Sequence, residues 1–415
     1  MQLSPGWQRV LYAAFMTPTR RGWGIPVVVK GSMGIGKTSI IEQMAEEMQA
    51  FFSVLTLSNM EAVEAKGHPF LDEISVAIGG KIEKRRQMGY APPDWALQSN
   101  QALRAIVFLD ELNQCLQQTF AAFARVINER ACGSYQLGEH VRIVAAMSPT
   151  NMAAAAGGVD LPPQTANRLC HIDGSMPAFE QFASWLALNE TPKPFELESA
   201  AISRAVEEPE EIVMRQWAEA FAKASSEVIG YLAARPGKQL VEPDPLSPEA
   251  SGAWPSRRSW EMLTRARASS WVHNLSGEEA LMFESGCIGK AHTGEFRTWI
   301  ADQDLPNARQ WLQGQIEFES DFTRLDRTQA FLIAAAIEWS RMEKHKRQKE
   351  LERLVGFYST LTGRRDTLVA SMHLLSGNGK QEIKEEIFAL PIELRKVFSQ
   401  IGTFKTTALA AGGIR

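Results

Sequence analysis

The chain has 415 residues, 45% of them hydrophobic and 22% charged, an ordinary globular composition for which disorder is not the expected state, and it is long enough for two or three domains with cores of their own. The formal net charge of -4 gives no global attraction to phosphate backbones, so nucleic acid is disfavoured as a partner unless a local basic patch supplies the contact. Met1 to Val10 lack a basic-then-apolar leader, no run approaches the roughly 18 apolar residues of a membrane span, and the four cysteines form no CxxC pair; a soluble protein of the reducing cytoplasm is expected, without a zinc site or disulfide framework.

In chain order, the first informative stretch is Ile25 to Lys30, IPVVVK, an apolar run rich in β-branched residues. A Gly-rich turn and the amphipathic stretch Thr38 to Gln49 follow, so the order is strand, loop, helix. Further apolar runs at Phe51 to Leu57, Ala105 to Leu109 and Val141 to Met147 read as strands, with a helix from Leu116 to Glu129 between the last two. Strands alternating with helices predict a central, mostly parallel sheet covered on both faces. Beyond about Asp173 the pattern turns helical, with long segments at Glu208 to Ala234, Ser259 to Val272, Arg327 to Leu354 and Gln381 to Phe398. Arg235 to Pro255 contains five prolines and reads as a loop.

Residues Gly31 to Thr38, GSMGIGKT, fit the G-x-x-x-x-G-K-[ST] pattern, in which glycines let backbone N–H groups close around a β-phosphate. Gly31, Ser32, Met33, Gly34, Ile35 and Gly36 form the cradle, Lys37 reaches the β- and γ-phosphates of ATP, and Thr38, followed by Ser39 at the helix start, ligates Mg2+. The run AIVFLDEL ends a buried strand in two acids at the carboxyl edge of a parallel sheet. There Asp110 holds the magnesium and Glu111 polarises the attacking water. A third strand ends in Ser148, Pro149, Thr150 and Asn151, where Ser148 or Asn151 could sense the γ-phosphate or the lytic water; a plain turn is an equal reading for each. Arg168, ahead of the short run Leu169 to Ile172, sits near the sheet's edge and could act across an interface, although most arginines are solvated surface groups.

Together, GSMGIGKT, FLDELN, the SPTN turn, GGVDLPPQTANRL and the segment Thr56 to Phe70 resemble the AAA+ ATPases, specifically the MoxR branch. WPSRRSWE, Trp254 to Glu261, is similar to that family's lid motif. The resemblance covers roughly Trp23 to Leu275. It implies a P-loop AAA+ core over residues 1–175, a helical lid carrying the second sensor over 176–300, and a helical C-terminal extension over 301–415. It also implies that Arg168 is the arginine finger, that Arg258 is the lid's nucleotide sensor, and that an insert interrupts the core after the second strand. The implied activity is ATP hydrolysis by a ring homo-oligomer, a hexamer, that remodels a protein client in a chaperone-like way. The branch further implies a von Willebrand factor A domain client. Family members carry Asn at the first sensor, where this chain has Ser148, with Asn151 three residues later; the shorter hydroxyl predicts slow turnover. RACGSYQLGEH, Arg130 to His140, resembles a β-hairpin insertion near the ring opening, with Tyr135 either touching a partner or simply exposed. A nucleic-acid translocase is the competing function, and a small-molecule kinase a third.

Two basic runs, Lys81 to Arg86 and Arg341 to Arg353, read as solvated faces, the second interleaved with Glu343, Glu350 and Glu352. His68 and His171 read as packing or turn residues, and the tryptophans of the helical part as core.

Overall fold

The computed structural model describes residues 5–78, 81–148, 160–174, 209–303, 305–320, 323–343, 347–361, 363–375, 386–387 and 389–401. These fall into two compact units, Met1–Trp217 with Val241–Thr293, and Ala218–Leu240 with Gly294–Arg415.

In the first unit the apolar runs become strands that are buried along their length. Helix α1 (Pro5–Phe15) leads through a short ladder, β1 (Pro18–Thr19) and β2 (Gly22–Trp23), into β3 (Val27–Lys30). Then come α2 (Lys37–Glu47), β4 (Phe51–Thr56), α3 (Ala62–Lys66), the long strands β5 (His68–Ile78) and β6 (Lys81–Ala91), α4 (Asp94–Gln101) and β7 (Ala105–Asp110). After α5 (Gln117–Glu129), β8 (Ala131–Cys132) and β9 (Tyr135–Gln136) form a tight hairpin ahead of β10 (Val141–Met147). The short α6 (Pro163–Ala166) precedes β11 (Cys170–Asp173).

Five strands form one sheet in the order β11-β3-β10-β7-β4, every neighbouring pair parallel. All seven residues of β10 and the first five of β7 are buried, as strands covered on both faces require. The registers Met147 with Lys30, Ala145 with Leu109 and Thr56 with Asp110 bring the carboxyl ends of four strands to one edge. β10 lies between the strand that feeds the Gly-rich loop and the strand that ends in the acids.

An ionic cluster is built into this core. Arg142 of β10 is fully buried and donates to Glu210 Oε1 at 2.7 Å, while Arg104 donates to both Glu210 oxygens at 2.8 Å. Burial by itself would raise the Glu210 pKa, but the bonds from Arg104 and Arg142 prevail and hold it at about 2.

The helices Arg257–Val272 and Gly277–Ile288 belong to the same unit and start at capping boxes on Ser256 and Ser276. Ser269 Oγ donates to the Ala13 carbonyl at 3.0 Å, and Arg267 pairs with the buried Glu284 at 2.7 Å. Gly286 passes so close to β11 that a Cβ there would meet the His171 carbonyl at 2.5 Å, which requires glycine. This packing brings Cys170 and Cys287, far apart in sequence, to 3.9 Å as free, buried thiols. His171 is buried as a packing residue, Nε2 lying 2.8 Å from the Ala166 carbonyl. His68 begins β5 and is exposed.

The second unit is helical. Tyr231 packs edge-on against Phe296 and Trp299, and a separate cluster gathers Trp311, Phe318, Phe331 and Phe357. The single helix expected over Arg327 to Leu354 is instead two, Leu325–Arg341 and Gln348–Ser359. Tertiary contacts outweigh helix propensity there. Arg347, read from sequence as part of a solvated face, is buried, stacks on Trp339 at 4.6 Å and forms a bidentate pair with Glu386 at 2.8 and 2.7 Å. Trp339 Nε1 closes the corner by donating to the Arg347 carbonyl. Of the helix expected over Gln381 to Phe398, residues 386–387 are helical and a helix runs from Ile392, with a break at 389–391 that ends in Pro391, whose ring disfavours a helix running through it. Among the described residues no strand follows Asp173, and no helix is long and apolar enough to cross a membrane.

Candidate functional site

The Gly-rich loop turns sharply between β3 and α2 because two of its glycines adopt backbone angles that side chains disfavour. Gly34 has φ 75° and Gly36, the N-cap of α2, has φ 87°. Gly31 is needed for space: a Cβ would meet Ile35 Cδ1 at 2.6 Å and the Gly174 carbonyl at 2.9 Å. The loop thus rests on β11's end, where Gly174 N–H donates to the Lys30 carbonyl. Gly31 N–H donates to the Met147 carbonyl, tying the loop to β10.

A cavity of about 280 Å3 opens at this edge, lined by Met33, Gly34, Gly36, Lys37, Thr38 and Ser39 from the loop and helix, Asp110 and Glu111 from β7, and Met147 and Ser148 from β10. Loop, acids and third-strand end, predicted from three separate stretches, therefore share one cavity. The Lys37 ammonium donates to the Gly31 and Ser32 carbonyls at 2.8 and 2.9 Å. Burial lowers its pKa, and the charges of Asp110 and Glu111 oppose that shift. Thr38 Oγ1 donates to Asp110 Oδ2 at 3.1 Å, and Glu111 N–H donates to Asp110 Oδ1 at 2.9 Å. A hydroxyl beside a carboxylate at a phosphate loop is a hard, all-oxygen donor pair of the kind Mg2+ prefers.

Glu111 lies at φ 55°, in the left-handed region, a conformation that costs a non-glycine residue roughly 1–3 kcal/mol. The loop is pinned on both sides, since Leu112 N–H donates to the Ala146 carbonyl and Gln114 N–H to the Glu111 carbonyl, each at 2.9 Å. Ser58 Oγ donates to Glu111 Oε2. Asn113 is buried, and its amide pairs reciprocally with the Ser148 backbone, Nδ2 donating to Ser148 O at 3.0 Å and Oδ1 accepting from Ser148 N at 3.3 Å. Gln114 Nε2 donates to Ser148 Oγ at 3.4 Å. Ser58, Asn113 and Gln114 were not assigned roles from sequence. Asn113 and Ser58 do fall inside FLDELN and TLSNM, so their position in those motifs was the available signal. Asn151 lies outside the described residues.

Arg168 stands at the opposite end of the sheet from the phosphate loop. Cys170 pairs with Val27 and Asp173 with Lys30, so Arg168 precedes the amino end of β11 while the loop follows the carboxyl end of β3. At about 3.3 Å per residue the four paired residues alone separate these ends by roughly 13 Å. Arg258 is exposed, and its pKa is lowered by partial burial and then by the charge of nearby Arg168. Asn167 links the bases of the two arginines, accepting from Ser256 Oγ at 2.6 Å and donating to the Trp254 carbonyl at 2.9 Å. Among the described residues neither guanidinium is hydrogen-bonded to the phosphate loop. Tyr135 is half-buried against the core under its two-residue hairpin turn.

The family model for the AAA domain of the dynein-related subfamily matches residues 26–169. The matched segment starts one residue before β3 and ends one residue before β11, so it contains the phosphate loop, both acids, Ser148 and Arg168. Among solved structures, a candidate ATPase from Cytophaga hutchinsonii is similar at 13% identity and a TM-score of 0.41, over 68% of this chain and 80% of that one. A full-length MCM homolog from Methanopyrus kandleri is similar at 14% identity and a TM-score of 0.32, over 68% of this chain and 55% of that one. No curated protein matches the chain. The chain carries an AAA+ core with a five-stranded parallel sheet, accompanied by helical regions, and it is an ATPase.

Proposed function

We propose that the chain is a MoxR-like, chaperone-like remodeller that hydrolyses ATP at a site shared between subunits of a ring, a hexamer, and alters a protein client in the cytoplasm. The observation that carries this reading is the placement of Arg168 and Arg258 together at the edge of the sheet opposite their own phosphate loop. Arginines so placed have no short path to the phosphates of their own chain, whereas a neighbour's phosphates come within reach if carboxyl edge meets amino edge in a ring.

Within one site the loop's N–H groups and Lys37 hold the β- and γ-phosphates, while Thr38 and Asp110 hold Mg2+, which supplies charge neutralisation when bound. Glu111 accepts a proton from water as its oxygen bonds to the γ-phosphorus, and the bond to the β-phosphate oxygen breaks to release ADP and phosphate. Ser148, buried at the cavity wall and held by Asn113, acts as the first sensor, with a hydroxyl whose short reach favours slow turnover. The neighbour's Arg168 neutralises charge on the transferred group, and Arg258 beside it makes the same event felt in the helices packed on α1. A von Willebrand factor A domain protein is the proposed client. The domain reading that accompanies this function is a core over 1–175, a lid over 176–300 and an extension over 301–415.

Mass measurement with and without ATP tests the ring, and a monomer with full ATPase activity contradicts it. A pull-down with Glu111→Gln protein held in ATP should retain the client, because binding persists while hydrolysis is lost. One observation favours nucleic acid instead: Lys84 and Arg86 are exposed on the long hairpin. DNA stimulation of ATPase that collapses with added salt would support that second reading.

A further inference from the structure

A second cavity, about 360 Å3, lies away from the phosphates, among α3, α5, the foot of β6 and the turn between β8 and β9. Ala65, Ala121, Ala122 and the Tyr90 ring give it apolar walls, and Lys66 and Arg125 stand at its rim. The hairpin rising from it is a free-standing ribbon: β5 and β6 pair over eleven residues and with no third strand among the described residues, so both long edges keep unpaired backbone groups. Strand alternation places Tyr90, Met88 and Leu71 on one face, Leu71 directly opposite Met88. These three are 41%, 63% and 71% exposed, an apolar strip continuous with the cavity mouth that the described part of the chain leaves uncovered.

The charges beside the strip select among ligands. Lys66 is exposed and has no ion-pair partner among the described residues. Among the described residues Arg125 pairs with Glu129 alone, at 2.7 Å and half exposed on both sides, a pair that a competing carboxylate can replace at little cost. Further up the same face Arg86 is paired with Glu73 while Lys84 stands opposite Ser75, so the strip carries a modest positive excess that suits a carboxylate, but with Arg86 and Arg125 each paired within the chain it falls short of the continuous positive track that a phosphate backbone requires.

We propose that this surface docks an extended segment of a protein partner, one large apolar side chain seated in the cavity and an adjacent carboxylate facing Lys66 and Arg125. The free ribbon edges supply main-chain hydrogen bonds to such a segment, and the cavity supplies the specificity. The proposal deepens the remodeller reading and rests on it for the class of partner.

The test uses the full chain and fluorescence anisotropy with labelled, end-blocked heptapeptides carrying central Phe, Tyr, Leu or Met flanked by Asp. Matched peptides carry flanking Lys, or a central Ser. Acidic peptides with an apolar centre should bind with Kd of about 10–100 µM, and the Lys-flanked and Ser-centred peptides about tenfold or more weakly. Lys66→Glu should weaken the acidic peptides about tenfold and favour the Lys-flanked set, while Ala121→Trp at the mouth should abolish binding. Both positions are exposed, and Lys66→Glu alone decides the matter if Ala121→Trp fails to fold. The proposal is overturned if no acidic peptide binds below about 1 mM, if Lys66→Glu leaves affinity unchanged, or if a single-stranded oligonucleotide binds in place of the peptides. ATP turnover, measured separately on the same proteins, tells a failure of docking from a failure of the ATPase reading.

Discussion

Ser58 donates its hydroxyl to a carboxylate oxygen of Glu111. The contact joins two neighbouring strands at their carboxyl ends, since Thr56 of β4 pairs with Asp110 of β7. Ser58 therefore occupies a lone pair of the residue that receives water's proton and draws it toward β4. Ser58→Ala should raise kcat about two- to fivefold with KM for ATP unchanged, the effect of removing one modest hydrogen bond from a base. Steady-state ATPase kinetics check this, and an unchanged kcat would show that the bond does not restrain Glu111.

The phosphate loop tolerates no side chain at Gly31, where a Cβ would press on the Gly174 carbonyl at 2.9 Å. At Gly34 a Cβ meets nothing within 4 Å, so alanine there costs only the left-handed backbone, about 1–2 kcal/mol. Gly31→Ala should weaken ATP binding by at least about a hundredfold and Gly34→Ala by about tenfold, as read by titration calorimetry. Equal effects would contradict the packing of the loop on β11.

Mild acid should destabilise the first unit. Burial, aided by the charge of Lys30 and opposed by the Ala166 carbonyl, lowers His171 to about 3, and burial with Arg9 lowers His273 to about 4. Both rings stay neutral when folded, while the unfolded chain protonates them near 6.5. Their contribution is thus complete above pH 6.5 and is lost as pH falls toward 4 and then 3, by up to about 1.4 kcal/mol per unit for each ring. Melting temperatures should hold from pH 7.5 to about 6.5 and fall from there to about pH 5, less steeply in His171→Gln, whose amide can still donate to Ala166.

Glu210 acts over a more acidic window. Its pKa is held at about 2, so its stabilisation is complete above the unfolded value near 4.3 and is lost as pH falls through that value toward 2. Glu210→Gln leaves the fully buried Arg142 without a counter-charge and should cost about 3 kcal/mol in urea unfolding at pH 7. A loss below about 1 kcal/mol would mean that Arg142 finds other compensation.

The strands that carry the site were legible because each is buried on both faces. Val27–Lys30, Ala105–Asp110 and Val141–Met147 read as unbroken apolar runs, and short motifs at their ends marked the chemistry. The eleven-residue strands β5 and β6 were not legible as strands. The face that carries Leu71, Met88 and Tyr90 is exposed where it is described, so it has no reason to be uniformly apolar, and Leu71 and Met88 share it with Lys84 and Arg86. Gly79-Gly80 in the sequence was the one turn signal. Ser58 and Asn113 escaped assignment because their roles depend on strands that lie adjacent in space and distant in sequence. The break after Arg341 has no Gly or Pro to announce it; it follows from Arg347 being buried against Trp339 and Glu386. The placement of Arg168 beside Arg258 likewise needed the register of β11 on β3.

The sharing of the ATP site between subunits is tested most directly by mixing two variants. Arg168→Ala lacks the guanidinium and Glu111→Gln lacks the base, so each alone should hydrolyse ATP at least about a hundredfold more slowly than the wild type. In mixed assemblies some sites pair an intact Glu111 with an intact Arg168 from the neighbour. Mixing in equal amounts should then restore ATPase activity well above the sum of the separate proteins, to about a quarter of the wild-type rate if subunits exchange at random. A mixture no more active than that sum, or an Arg168→Ala protein that is fully active on its own, would contradict a shared site.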